Sequence, residues 1–190
     1  GREFIDLQQA AFERKGALSG LPTGFPQLDH MTHGLQPGEL IIIGARPSVG
    51  KTAMGCHFIA ETAVRNNIPA LFISAEMSNA AIMRRLVATV GSVPMGELRN
   101  GPRTEGDFKT LTNNVARLRK APIQFLDVID CPSIAVVSAG IRRAARRDGV
   151  KLVVVDYLQK LNSTERHEKR TYEVAEISGR LKAAARACNI

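Results

Sequence analysis

An apolar run, "GELIII" from Gly38 to Ile43, leads straight into "GARPSVGKTA", Gly44 to Ala53. No other stretch restricts the fold as much. A strand that breaks into a glycine-bearing loop and then opens a helix brings backbone N–H groups and a helix N-terminus together on a phosphate. The pattern G-x-x-x-x-G-K-[ST] is met from Ala45 to Thr52, with Ala45 at the first glycine position and Gly44 one place earlier. Each residue type has a physical reason. Gly50 lets the backbone approach phosphates, and the amides of Val49, Gly50, Lys51 and Thr52 can donate to them. Lys51 brings a compact positive charge to the β and γ oxygens, and the Thr52 hydroxyl suits Mg²⁺. A plain strand-to-helix turn offers no reason for Lys followed by Thr. The expected nucleotide-binding residues are therefore Ser48, Val49, Gly50, Lys51, Thr52 and Ala53.

The rest of the chain supplies the scaffold such a loop requires. Leu40 to Gly44, "IPALFISAE", "IQFLDV" and "VKLVVVDYLQ" read as strands apolar on both faces. Helical patterns separate them: Lys51 to Asn66, about Asn79 to Val90, Glu105 to Lys120, a helix capped by Ser133 and closed by Gly149, and about Tyr172 to Ala187. Strands alternating with helices predict an α/β fold with a mainly parallel sheet covered by helices. Ligands of such sheets sit at the carboxyl ends of the strands, where the sequence places two acids. Asp156 ends "LVVVD" and suits Mg²⁺ binding, the alternative being a helix-capping acid. Glu76 ends "ALFISAE", where the residues alone leave open a base that activates water or another capping acid.

Composition bounds the setting. The 190 residues are 44% hydrophobic, enough for one sizeable core. Cys56, Cys131 and Cys188 lie far apart, without disulfide or zinc spacing, which suits a reducing cytosol and predicts a cytoplasmic protein. The apolar runs are strand-sized, so no membrane partner is expected. A net charge of +8 favours polyanionic partners without identifying one.

Four blocks, "LPTGFPQLDHMTHGLQPGELIIIGARPSVGKTA", "LFISAEMS", "LVVVDYLQKL" and "YEVAEISGRLKAAA", together resemble the C-terminal motor domain of DnaB-type replicative DNA helicases. The resemblance covers most of Leu21 to Ala185. It implies a RecA-like P-loop core that binds ATP and Mg²⁺, assembles with identical subunits into a ring hexamer, and moves along single-stranded DNA to unwind duplex during replication. Primase and a helicase loader are further implied partners. On the matching positions Glu76 is the catalytic base, Lys51 and Thr52 are the nucleotide-loop pair, and Asp156 is the Mg²⁺-associated aspartate. Ala45 matches a residue common in the family.

The resemblance also divides the chain: residues 1–18 fall where the family has the linker helix that docks on the adjacent subunit, and 19–190 form the ATPase domain. The amphipathic pattern from Arg2 to Lys15 reads either as a helix packed on its own domain or as that linker. In the family the chain continues past the position of Ile190 into a strand ending in a γ-phosphate-sensing glutamine, then DNA-binding loops and an arginine finger. This chain is thus expected to be a piece of a longer polypeptide and to bind nucleotide better than it hydrolyses it. An alternative that the residues leave standing is a RecA-like regulatory or loading module, gated by nucleotide, that does not unwind.

Secondary features weigh less. Arg142, Arg143, Arg146 and Arg147 cluster on one helix, read first as a solvated face and second as a nucleic-acid contact. Asn162 to Arg170 reads as a polar, mobile loop near the site. Gln159 reads as a buried or capping amide or as a link between nucleotide state and DNA contacts. His30 and His33 supply no metal-ligand set.

Overall fold

The computed structural model describes residues 18–101, 104–164 and 169–190. The expected linker helix, Arg2 to Lys15, lies outside the described residues. The apolar segments Ala70–Ser74 (β1), Ile123–Asp127 (β2) and Leu152–Asp156 (β3) pair as a three-stranded parallel sheet in the order β2-β1-β3. β1 is buried along its whole length, as a central parallel strand covered on both faces must be. Its alternation divides the core. Leu71 and Ile73 point to one side, among Val137, Ile141, Ile177 and Leu181. Ala70 and Phe72 point to the other, among Cys56, Ile59, Ile82 and Leu86.

Those partners come from helices whose ends the sequence specifies. Helix α1 is Pro26–Thr32, with proline in its first turn, and α2 is Lys51–Ile59, which continues into a π-helical stretch, Ala60–Arg65. α3 is Asn79–Gly91, capped by the Ser78 side chain, and α4 is the short Met95–Asn100. α5, Glu105–Lys120, opens with a reciprocal capping box between Thr104 and Asp107. α6, Ile134–Asp148, has the expected ends, for Ser133 accepts from the Ala135 amide and Gly149 closes the helix at φ 64°. α7 is Arg170–Cys188, and a 3-10 turn, Leu158–Lys160, follows β3. α2 and α3 therefore cover one face of the sheet and α6 and α7 the other. No helix among the described residues is long and apolar enough to cross a membrane.

The first expected strand is a correction. Leu40 to Gly44 joins no sheet among the described residues, and Ile41, Ile42 and Ile43 are 52%, 69% and 40% exposed. A strand forms only by hydrogen bonding to a neighbour. Here a cavity of about 1470 Å³, lined both by Leu40 to Gly44 and by β3, lies where that neighbour would be. β3 is in consequence a sheet edge. The Gly38 amide donates to the Ile190 carbonyl at 2.8 Å, which fixes the end of α7 beside this segment.

The charged loop is also tied more firmly than expected at its flanks. The Ser163 amide donates to Glu173 Oε1 at 3.0 Å, and Arg170 donates to the carbonyls of Gln159 at 2.5 Å and Leu161 at 3.2 Å. Its centre, 165–168, lies outside the described residues.

Candidate nucleotide site

The loop between Gly44 and Lys51 turns through two left-handed residues, Ser48 at φ 64° and Gly50 at φ 114°. The second needs glycine, and space for a Cβ is not the reason, because nothing lies within 4 Å of that position. The backbone conformation is. It turns the chain into α2 so that the first-turn amides of the helix, which have no intrahelical acceptor, face the loop. α2 can lie close on the sheet because Gly55 has no side chain; a Cβ there would meet Val154 Cγ1 at 3.0 Å.

Two side-chain interactions order the site. Lys51 Nζ lies back along the loop and donates to the carbonyls of Ala45 at 2.7 Å and Arg46 at 3.1 Å. Thr52 Oγ1 donates to Asp156 Oδ2 at 2.8 Å, joining the start of α2 to the end of β3 across 104 residues. Asp156 is buried, and this hydrogen bond meets one of its acceptor needs. Glu76 leaves the end of β1 exposed to the same cavity, where its carboxylate has no hydrogen bond or ion pair among the described residues.

Seven of the eight expected site residues line one cavity: Ser48, Gly50, Lys51, Thr52, Ala53, Glu76 and Asp156. Val49 does not. It projects outward, 69% exposed, so only its backbone is available to a ligand. Gln159 lines the cavity as well. The arginines of α6 lie apart from it, on an exposed face around a shallow depression of about 510 Å³. His33 ends α1 in the left-handed conformation, its amide donating to Asp29 O.

The sequence pattern passed over two cavity neighbours. Cys56 is buried behind the loop helix, and Arg85 of α3 lines the cavity with its Nε buried and unpartnered among the described residues. Burial pushes the Cys56 thiol from 9.0 up to about 12, with the Arg85 charge lowering it and Asp156 raising it. Nothing in a helical pattern separates an arginine of this kind from a solvated one.

A left-handed glycine at a helix N-terminus, a lysine on the loop carbonyls, and a threonine bonded to a strand-end aspartate define the class of the P-loop nucleotide-binding α/β proteins. Comparison with known proteins gives the family. Residues 20–190 match the DnaB-like helicase C terminal domain, and the chain belongs to that family. It is 37% identical to the replicative DNA helicase DnaB of Leifsonia xyli over 184 residues, 96% of this chain and 40% of that protein. It is 39% identical to the DnaB of Geobacillus stearothermophilus, again over 40% of that protein's length. The chain thus spans two fifths of these curated relatives.

Two solved structures superimpose over the whole chain. One is an isolated ATPase domain, at TM-score 0.89 and 27% identity, with 67% of that chain covered. The other is a DnaB-like replicative helicase described with its interactions with primase, at TM-score 0.88 and 26% identity, with 46% covered. The fold is accordingly α/β, as the strand pattern predicted, and RecA-like, as the resemblance implied.

Proposed function

We propose that this chain is the ATP-hydrolysing motor domain of a replicative DNA helicase, coupling turnover to movement on single-stranded DNA and to duplex unwinding. The observation that carries this reading is the Thr52 to Asp156 hydrogen bond, made in a cavity that Lys51 and Glu76 also line. The residues fit Mg-ATP. The first-turn amides of α2 and Lys51 would hold the phosphates, with Lys51 exchanging its loop carbonyls for phosphate oxygens. Thr52 and Asp156 would hold Mg²⁺, whose chemistry is to offset charge on the β and γ phosphates. Glu76, free at the strand end, would orient water and take its proton.

Family membership supports the wider assembly: a ring of identical subunits in which a neighbour completes each site, residues 1–18 acting as a linker docked on that neighbour, and a cytoplasmic location. Primase is supported as a partner by the structural neighbour described with it. A helicase loader is proposed from the family alone.

The test is the ATPase rate, with and without single-stranded DNA, of a version extended through the next natural stretch of the gene. Glu76→Gln should keep nucleotide affinity and lose about 100-fold or more in turnover. Lys51→Ala should lose the affinity itself. An extended chain that binds ATP but neither hydrolyses it nor responds to DNA would instead be a nucleotide-gated regulatory or loading module.

A further inference from the structure

Arg85 is a cation with a buried guanidinium nitrogen and no acceptor among the described residues. Its Nε has no hydrogen-bond partner, and it forms no ion pair among the described residues. Leaving such a group unpaired is costly, so an anionic group brought to that side of the cavity would be held there. Three facts locate where the anion belongs. α3 begins at Asn79, just after Glu76, and Arg85 falls about two turns along it. Helical side chains lean toward the N-terminus, which carries the guanidinium back toward the Glu76 end. Cys56, one turn past Thr52, feels both the Arg85 charge and the Asp156 carboxylate, so Arg85 is within electrostatic reach of the Thr52–Asp156 end of the site.

Three anions could meet Arg85 there: a phosphate, Asp156 or Glu76. A phosphate would have Lys51 and the first-turn amides of α2, and Asp156 already accepts from the Thr52 hydroxyl. Glu76 has nothing, being exposed and without a partner among the described residues. We propose that Arg85 is a positioning residue for Glu76: its guanidinium takes the Glu76 carboxylate when ATP is bound and keeps it aimed at the attacking water. The proposal rests on the assignment of Glu76 as the base. The other charged groups lining the cavity are Glu39, Lys51, Lys151 and Asp156, while Arg84, the adjacent charge on α3, is exposed.

The experiment uses the full-length helicase at saturating single-stranded DNA, with Arg85→Gln, Arg85→Lys and Glu76→Gln. Measured are kcat, KM and the Kd of a non-hydrolysable ATP analogue. Arg85→Gln should lower kcat about tenfold or more and leave KM and the analogue Kd within about twofold, the split expected of a group that aims the base and does not bind the nucleotide. Arg85→Lys keeps the charge but not the two-pronged geometry, so kcat should fall at least about threefold with the analogue Kd unchanged.

A tenfold loss of analogue affinity would make Arg85 a phosphate ligand and overturn the proposal. Wild-type kinetics in Arg85→Gln would overturn it too. If Arg85→Gln does not fold, Arg85→Lys decides, wild-type kcat in that variant being the overturning result. An active Glu76→Gln would remove the base assignment itself, whereas an inactive one beside a silent Arg85→Gln would remove the positioning role alone.

Discussion

Cys56 shows how a single buried side chain couples the site to stability. It lies one turn into α2 beyond Thr52 with no exposed surface, and burial raises its thiol to about 12, with the Arg85 charge opposing that rise and the Asp156 carboxylate adding to it. The sign follows from proton counting. Below pH 9 the thiol is protonated in both the folded and unfolded chain and contributes no pH dependence. Between pH 9 and 12 the unfolded chain loses the proton that the folded chain keeps, so stability falls as pH rises. The slope is at most about 1.4 kcal/mol per pH unit. Urea unfolding from pH 8 to 10.5 should give a steeper decline for the wild type than for Cys56→Ala; parallel curves would mean that the thiol is not buried as described. The same chemistry governs reactivity, because only the thiolate is nucleophilic. At neutral pH iodoacetamide should modify the exposed Cys131 and spare Cys56, as peptide mass spectrometry would report.

At the scale of elements, local chemistry sets boundaries and long-range pairing sets membership in the sheet. α5 is the clearest local case. The Thr104 amide donates to Asp107 Oδ2 at 3.0 Å and the Asp107 amide to Thr104 Oγ1 at 3.1 Å, so two helix-end donors are satisfied at once. Thr104→Ala should cost about 1 kcal/mol in urea unfolding and leave nucleotide affinity unchanged. The same locality made Ser133 and Gly149 legible as the ends of α6, and β1, β2 and β3 legible as apolar runs of strand length. The phosphate loop was legible because Gly50, Lys51 and Thr52 act through their immediate neighbours. Leu40 to Gly44 was misread because "LIII" carries strand propensity, while the partner that would make it a strand is not a local property. α1 and α4 are too short for periodicity to reveal them. Arg85 was invisible for another reason: its burial depends on where α3 packs against α2, and sequence spacing says nothing about that.

The whole molecule carries an unsatisfied feature that belongs to no single element. Ile41, Ile42 and Ile43 are exposed to a cavity whose other wall is the unpaired edge of β3. Exposed apolar side chains next to open strand edges are an unstable combination in water, and both defects are cured by the same thing, a strand laid between them. The chain spans 40% of its curated relatives, so further chain is available in proteins of this family to supply it. Carrying the protein through the next natural stretch of its gene should therefore slow amide exchange in both Leu40 to Ile43 and β3. The inserted strand would also turn Ile42 from a surface residue into a core one. Ile42→Ser is then expected to be nearly neutral in the 190-residue chain and to cost about 2 kcal/mol in the extended one. Equal costs in the two backgrounds, together with unchanged exchange at β3, would mean that the cavity is not a strand site and that Leu40 to Gly44 stays outside the sheet in the longer protein as well.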